Sequence, residues 1–236
     1  MLSATDIETY RICPLRYKFA RVFRIPSEPT INQRFGILVH QVLERFHAGG
    51  ADGGSLPELL GLLEAGWRRG GFGNSEEERQ LRAKATQALL RYHERFQDED
   101  GEPVWFERSF SFSLGPHLLR GRVDRVDRLP DGGYELIDYK TGRPKTAAQL
   151  REDVQLSLYA VGARESWQLE AAHQAYYYVL DDEKVPVDRT DDDRDWITET
   201  VFEVADGIRS QGFEPTPSWA ACSTCDYRIA CPAAEK

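Results

Sequence analysis

The chain has 236 residues, 41% hydrophobic and 29% charged, with a net charge of −9. That balance is near the globular average and excludes disordered, collagen-like and coiled-coil classes. No apolar run approaches the roughly 20 residues of a bilayer span, and the opening MLSATDIETYRICP lacks a basic segment followed by an apolar one, so a cytoplasmic protein without membrane partners is expected.

At roughly 150 residues per domain, the length fits one large domain or two small ones. An acidic chain is not the usual footprint of a non-specific nucleic-acid binder. A metal-dependent nuclease, however, must also concentrate carboxylates. Neither GxxxxGK[ST] nor GxGxxG occurs, so the usual phosphate-cradling loops are absent.

In chain order, residues 3–22 predict a helix broken at Cys13-Pro14. Residues 30–47 predict a second, with Phe35, Leu38, Val39, Val42, Leu43 and Phe46 at helical spacing. Helices at about 56–69 and 75–97 follow. Residues 103–113 alternate, with Val104 and Phe106 against Glu107 and Ser109, and predict a strand. Strands at 117–129 and 134–140 flank Pro130-Asp131-Gly132-Gly133 and read as a hairpin. Then come a helix at 146–164, strands at 173–180 and 183–188, a helix at 192–210 and an irregular tail. The order implies an α/β fold, a central mixed sheet flanked by helices, with a largely helical N-terminal part.

Residues 121–142, GRVDRVDRLPDGGYELIDYKTG, carry the most chemistry. Asp138 and Lys140 are two apart on a strand and so share a face, opposite Ile137 and Tyr139. Asp124, on the preceding strand, can come alongside. Two carboxylates with an ammonium suit phosphodiester hydrolysis: hard oxygens hold Mg²⁺ or Mn²⁺, and a lysine stabilises the anionic transition state. An exposed hairpin with ordinary ion pairs gives the same spacing. Gln155 and Tyr159 are four apart on the 146–164 helix, with Arg151 one turn earlier, a stripe suited to phosphate positioning or to a solvent face. His40 lies on the 30–47 helix with Glu44 and His47 at i+4 and i+7, as a ligand or as an ordinary half-buried histidine.

Cys13, Cys222, Cys225 and Cys231 are the four cysteines. In a cytosolic chain such a set suggests metal. The one-plus-three spacing, with Pro14 and Pro232 following the outer pair, fits a cubane cluster at least as well as zinc.

GILVHQVLERFH, GRVDRVD, ELIDYKTG and QLSLYA, in that order, resemble the RecB-like branch of the PD-(D/E)XK nuclease superfamily. LSATDIETYRICPLRYKFARVFRIP and CSTCDYRIACP resemble its iron–sulfur members: AddB-type nuclease domains, those fused to UvrD-like helicases, and CRISPR-associated exonucleases. The resemblance implies a restriction-endonuclease-like core in one domain spanning 1–236: a helical part over 1–100, the nuclease core over 101–210, and a Cys-rich segment over 211–236 joined to Cys13 by a four-cysteine cluster. It makes His40, Asp124 and Asp138 metal ligands, Asp124, Asp138, Lys140, Gln155 and Tyr159 catalytic, and the four cysteines 4Fe–4S ligands, with Zn²⁺ the alternative. The expected activity is a Mg²⁺- or Mn²⁺-dependent DNA exonuclease or end-processing nuclease in repair or recombination. Its substrate would be single-stranded or open-ended DNA, approached past Arg143, Lys145 and Arg151, with a helicase in cis or in trans. The alternatives are an RNA-directed nuclease and a non-catalytic iron–sulfur scaffold.

Overall fold

The computed structural model describes residues 1–48, 54–99, 101–146, 149–150, 153–187 and 191–235. The chain divides into two compact units. One comprises Met1–Glu28, Ser111–Gly121 and Arg189–Lys236, the other Pro29–Phe110 and Arg122–Asp188.

In the second unit, helix α3 (Ile31–His47) starts with a reciprocal cap. The Thr30 hydroxyl accepts from the Gln33 N–H, and the Gln33 side chain accepts from the Thr30 N–H. Ser55 with Glu58 and Ser75 with Glu78 open α4 (Leu56–Arg69) and α5 (Glu76–Asp98) in the same way. The apolar stripes of these helices pack together, burying Phe35, Leu38, Val42, Leu43, Leu59 and Leu89. The same cluster takes in Ile137, Tyr139 and Tyr177 from the sheet.

That sheet has five strands in the order β1 (Glu102–Leu114), β2 (His117–Arg128), β3 (Tyr134–Lys140), β4 (Ala171–Tyr178) and β5 (Glu183–Pro186). β3 runs antiparallel to β2 and parallel to β4, while β5 is antiparallel to β4, so the sheet is mixed as expected. A parallel neighbour needs a crossover, which α6 (Val154–Trp167) supplies. The predicted 146–164 helix is interrupted at Asp153: residues 149–150 are helical, with the Leu150 N–H donating to the Thr146 carbonyl at 3.0 Å, and α6 begins at Val154. Asp153 takes the N-cap position, accepting from the Gln155 N–H at 2.9 Å.

Gly162 of α6 lies against β1: a Cβ there would come within 2.5 Å of the Phe110 ring. Removing the side chain is what lets helix and strand approach so closely. Behind β3, His47 stacks on Phe106 at 3.8 Å, and a buried chain links His47 Nε2, Tyr92 Oη and Tyr139 Oη at 2.7 Å per step.

In the first unit, α1 (Ala4–Ile12) is capped by Ser3 with Asp6. Cys13 is extended (φ −162°, ψ 110°), and the chain restarts at Pro14 as α2 (Pro14–Tyr17), then a π-helical turn over Lys18–Val22. The unit also holds α7 (Asp191–Arg209) and a short α8 (Trp219–Ser223). The first and last segments of the chain are tied directly: Tyr10 Oη donates to the Gly212 carbonyl, Thr216 Oγ1 to that of Ile12 and Tyr227 Oη to that of Ile25. Among the described residues, no helix is long and apolar enough to cross a membrane.

Candidate active site

The second unit brings His40, Asp124, Asp138, Lys140, Gln155 and Tyr159 together. Strand periodicity places Asp138 and Lys140 on one face of β3, with Lys140 Nζ 2.6 Å from Asp138 Oδ2. Asp124 on β2 reaches across the hairpin, its Oδ2 accepting the Tyr139 N–H at 2.8 Å. His40 on α3 closes the far side, with Nδ1 3.5 Å from that oxygen.

The α6 residues form the other wall. Gln155 Nε2 donates to Asp138 Oδ1 and to Tyr159 Oη, each at 2.8 Å, and Gln155 Oε1 accepts from Lys140 Nζ at 2.6 Å. One amide thereby fixes an acid, an ammonium and a phenol. The four-residue spacing of Gln155 and Tyr159 therefore faces the site and not solvent.

Electrostatics here are set by burial and by close charges of both signs. Asp138 is 1% exposed, and burial, with the Asp124 charge adding to it, raises its pKa. Burial alone would lower His40, but its contact with Asp124 and the nearby Asp138 and Glu107 charges outweigh this and raise it. Burial would likewise lower Lys140, yet the Asp138 carboxylate raises it, so the pair carries its proton on the lysine.

Glu107 is the member that sequence reasoning missed. Alternation placed it on the polar side of β1, but its backbone sits at φ +50°, outside extended geometry. One ligand atom each from His40, Glu107 and Asp124 lie within 4.8 Å of one another. Burial first, and then the Asp124 charge, push the Glu107 carboxyl up to about 7. No sequence pattern signals a left-handed residue inside a strand.

A divalent cation fits this donor set. The carboxylate oxygens are hard ligands of the kind Mg²⁺ and Mn²⁺ take, and the imidazole nitrogen is a borderline ligand beside them. Glu107 Oε2 and Asp138 Oδ2 are buried and accept no aligned hydrogen bond, although a cationic side chain lies 2.6 Å from each. Of the three basic residues expected near the entrance, Arg143 is exposed. Lys145 pairs with Asp153, whose other oxygen accepts from Tyr176 Oη at 2.6 Å. Arg151 lies outside the described residues.

The four cysteines, all in the first unit, line a single cavity with Arg16, Phe19, Pro215, Thr216 and Arg228 among its other walls. None of the four is in a disulfide. Burial would raise the Cys13 thiol, but hydrogen bonds from the Thr216, Arg16 and Leu15 backbone and the Thr216 side chain outweigh it and hold the pKa down. A lowered pKa favours the thiolate, the form that binds metal.

A two-acid, one-lysine centre on a mixed sheet, with a Gln–Tyr helix against it, defines a class of phosphodiester-cleaving folds. Residues 1–232 match the PD-(D/E)XK nuclease superfamily, and the chain belongs to it. It is similar to the Gene 69 protein of Mycobacterium phage D29, 27% identical over 98% of this chain and 96% of that protein. The Gene 69 protein of Mycobacterium phage L5 is 23% identical over 98% and 95% of the two chains. Among solved structures, an exonuclease candidate from Eubacterium rectale superposes with a TM-score of 0.62 at 11% identity, covering 99% of this chain and 89% of that one. That likeness supports the shared fold.

Proposed function

We propose that this nuclease is a Mg²⁺- or Mn²⁺-dependent deoxyribonuclease of the RecB-like, iron–sulfur branch, cutting single-stranded or open-ended DNA. The convergence of the His40–Asp124 pair with Asp138 and Lys140, the latter two held by the Gln155 amide, carries the reading. His40, Asp124 and Asp138 would hold the ion, which when bound activates water and neutralises phosphate charge. Lys140 presents an ammonium beside Asp138, placed to orient the nucleophile and offset the charge that builds on the phosphate. Gln155 keeps Lys140 and Asp138 in register, and Tyr159 braces the amide from the next helical turn. Arg143 and Lys145, with Arg151, supply the basic approach for the strand.

In the same reading, Cys13, Cys222, Cys225 and Cys231 bind a 4Fe–4S cluster that unites the ends of a single domain laid out as 1–100, 101–210 and 211–236. Zinc would hold its four sulfurs about 3.8 Å apart, given Zn–S bonds near 2.3 Å. In this reading the nuclease processes ends in repair or recombination, on single strands supplied by a helicase in cis or in trans or on pre-opened ends.

The test is cleavage of end-labelled single- and double-stranded DNA and RNA with Mg²⁺, Mn²⁺ or EDTA. Metal-dependent shortening of single-stranded DNA is expected. Preference for RNA would change the substrate, and activity surviving EDTA would overturn the mechanism.

A further inference from the structure

Glu107 and Arg122 lie at the centre without a task in the reading above. Glu107 adopts φ +50° within β1, a conformation that non-glycine residues keep only where their surroundings impose it. There its carboxylate meets His40 and Asp124, one ligand atom from each lying within 4.8 Å of the others. Its Oε2 is buried, accepts no aligned hydrogen bond and has Arg122 Nε at 2.6 Å.

Arg122 stands two residues before Asp124 on β2 and therefore on the same face. The Arg122 side chain is 55% exposed, against 10% for Glu107. One end of this ion pair is thus fixed inside the centre, and the other can move into water without desolvation cost. A pair with one exposed partner contributes little to stability, so the burial of the Glu107 carboxylate calls for another use.

We propose that Glu107 is a further ligand carboxylate of the divalent-metal centre, and that Arg122 is the cation that competes with the metal for it. The proposal rests on the metal reading above. Six oxygen or nitrogen donors satisfy Mg²⁺ or Mn²⁺, and His40, Asp124 and Asp138 leave positions that a third carboxylate can take. Binding of the ion displaces Arg122 from Glu107. Once displaced, the guanidinium is free to meet a phosphate, with which it can make two parallel hydrogen bonds.

The two halves of the ion pair must then act on metal binding with opposite sign. Mn²⁺ is titrated into the full chain without nucleic acid, following free Mn²⁺ by electron paramagnetic resonance and heat by calorimetry. Glu107→Gln should weaken Mn²⁺ binding about tenfold or more, or remove one ion from the stoichiometry. Arg122→Gln should tighten it severalfold. In the double variant the effect of Arg122→Gln should shrink to less than about twofold, because the competition runs through one carboxylate.

Wild-type Mn²⁺ binding in Glu107→Gln overturns the proposal, as does an Arg122→Gln effect of equal size in both backgrounds. Should Glu107→Gln fail to fold, Arg122→Gln decides alone: unchanged Mn²⁺ affinity overturns the proposal. If the wild-type chain binds no Mn²⁺, the metal reading itself falls, a result distinct from binding that ignores Glu107.

Discussion

A carboxylate that is 1% exposed and close to a second acid burdens the fold unless a partner uses it. For Asp138 the partners are Lys140 and Gln155, and the proposed ion is the third. Asp138→Asn keeps the shape but removes the charge, so cleavage should drop by at least about a hundredfold while the far-ultraviolet spectrum is retained. Lys140→Ala should lose a comparable factor yet still bind Mn²⁺. Near-wild-type rates in either variant would sink the assignment. His47, on the same helix as His40, shows the opposite use of histidine. Burial, reinforced by the Arg125 charge, pushes its imidazole down to about 3. In the unfolded chain the group titrates near 6.5, so between these values the unfolded state binds the extra proton and stability falls as the pH drops. His47→Phe keeps the ring stacked on Phe106 and should flatten that dependence. Urea midpoints at pH 7 and pH 5 measure it, and an unchanged difference between them would refute the role given to His47.

At the scale of elements, the α6–β1 contact sets where Gln155 and Tyr159 stand. Gly162→Ala gains up to about 1 kcal/mol of helix propensity, but its Cβ would meet the Phe110 ring at 2.5 Å. Overpacking of this kind costs about 1–3 kcal/mol, so the net change should be destabilising, read as a lower urea midpoint. Phe110→Leu in the same chain should recover part of it. Gly162→Ala at wild-type stability would show that α6 shifts freely. These elements differ in how well the sequence announced them. Asp138 and Lys140 were legible because a strand alternates strictly, and Asp124 because Pro130-Asp131-Gly132-Gly133 closes a hairpin onto it. Gln155 and Tyr159 were legible as a pair, though the apolar pattern does not show the break ahead of them where Asp153 takes the N-cap of α6. His47 lies in the same helical stripe as His40 and separates from it only through tertiary packing on Phe106. Glu107 was hidden, since period-two alternation presumes the extended dihedrals it lacks.

At the scale of the whole chain, its two ends share one compact unit, Met1–Glu28 with Arg189–Lys236 and the segment Ser111–Gly121. Direct bonds already join them: Tyr10 to Gly212, Thr216 to Ile12, and Arg16 to Asp226 at 3.5 Å. Such surface-level contacts are individually worth about 1 kcal/mol or less. A four-thiolate site would contribute far more. By analogy with a disulfide, fixing Cys13 to Cys222 closes a loop of most of the chain and removes on the order of 5 kcal/mol of unfolded-state entropy. That is comparable with the stability of an entire domain. A site of this kind fails when any ligand is lost, wherever the ligand lies in the sequence. Cys13→Ser and Cys225→Ser should therefore be equivalent: each should abolish iron binding in anaerobic preparations, lower the melting temperature by a similar amount and expose both ends to protease. The wild-type chain should carry about four irons and absorb broadly near 400 nm, as a 4Fe–4S cluster does. Stoichiometric zinc without iron would keep the clasp and change its metal. Retained iron and an unchanged melting temperature in Cys13→Ser, against collapse in Cys225→Ser, would separate Cys13 from the site. The tie between the chain ends would then rest on weaker contacts such as those of Tyr10, Thr216, Tyr227 and Arg16.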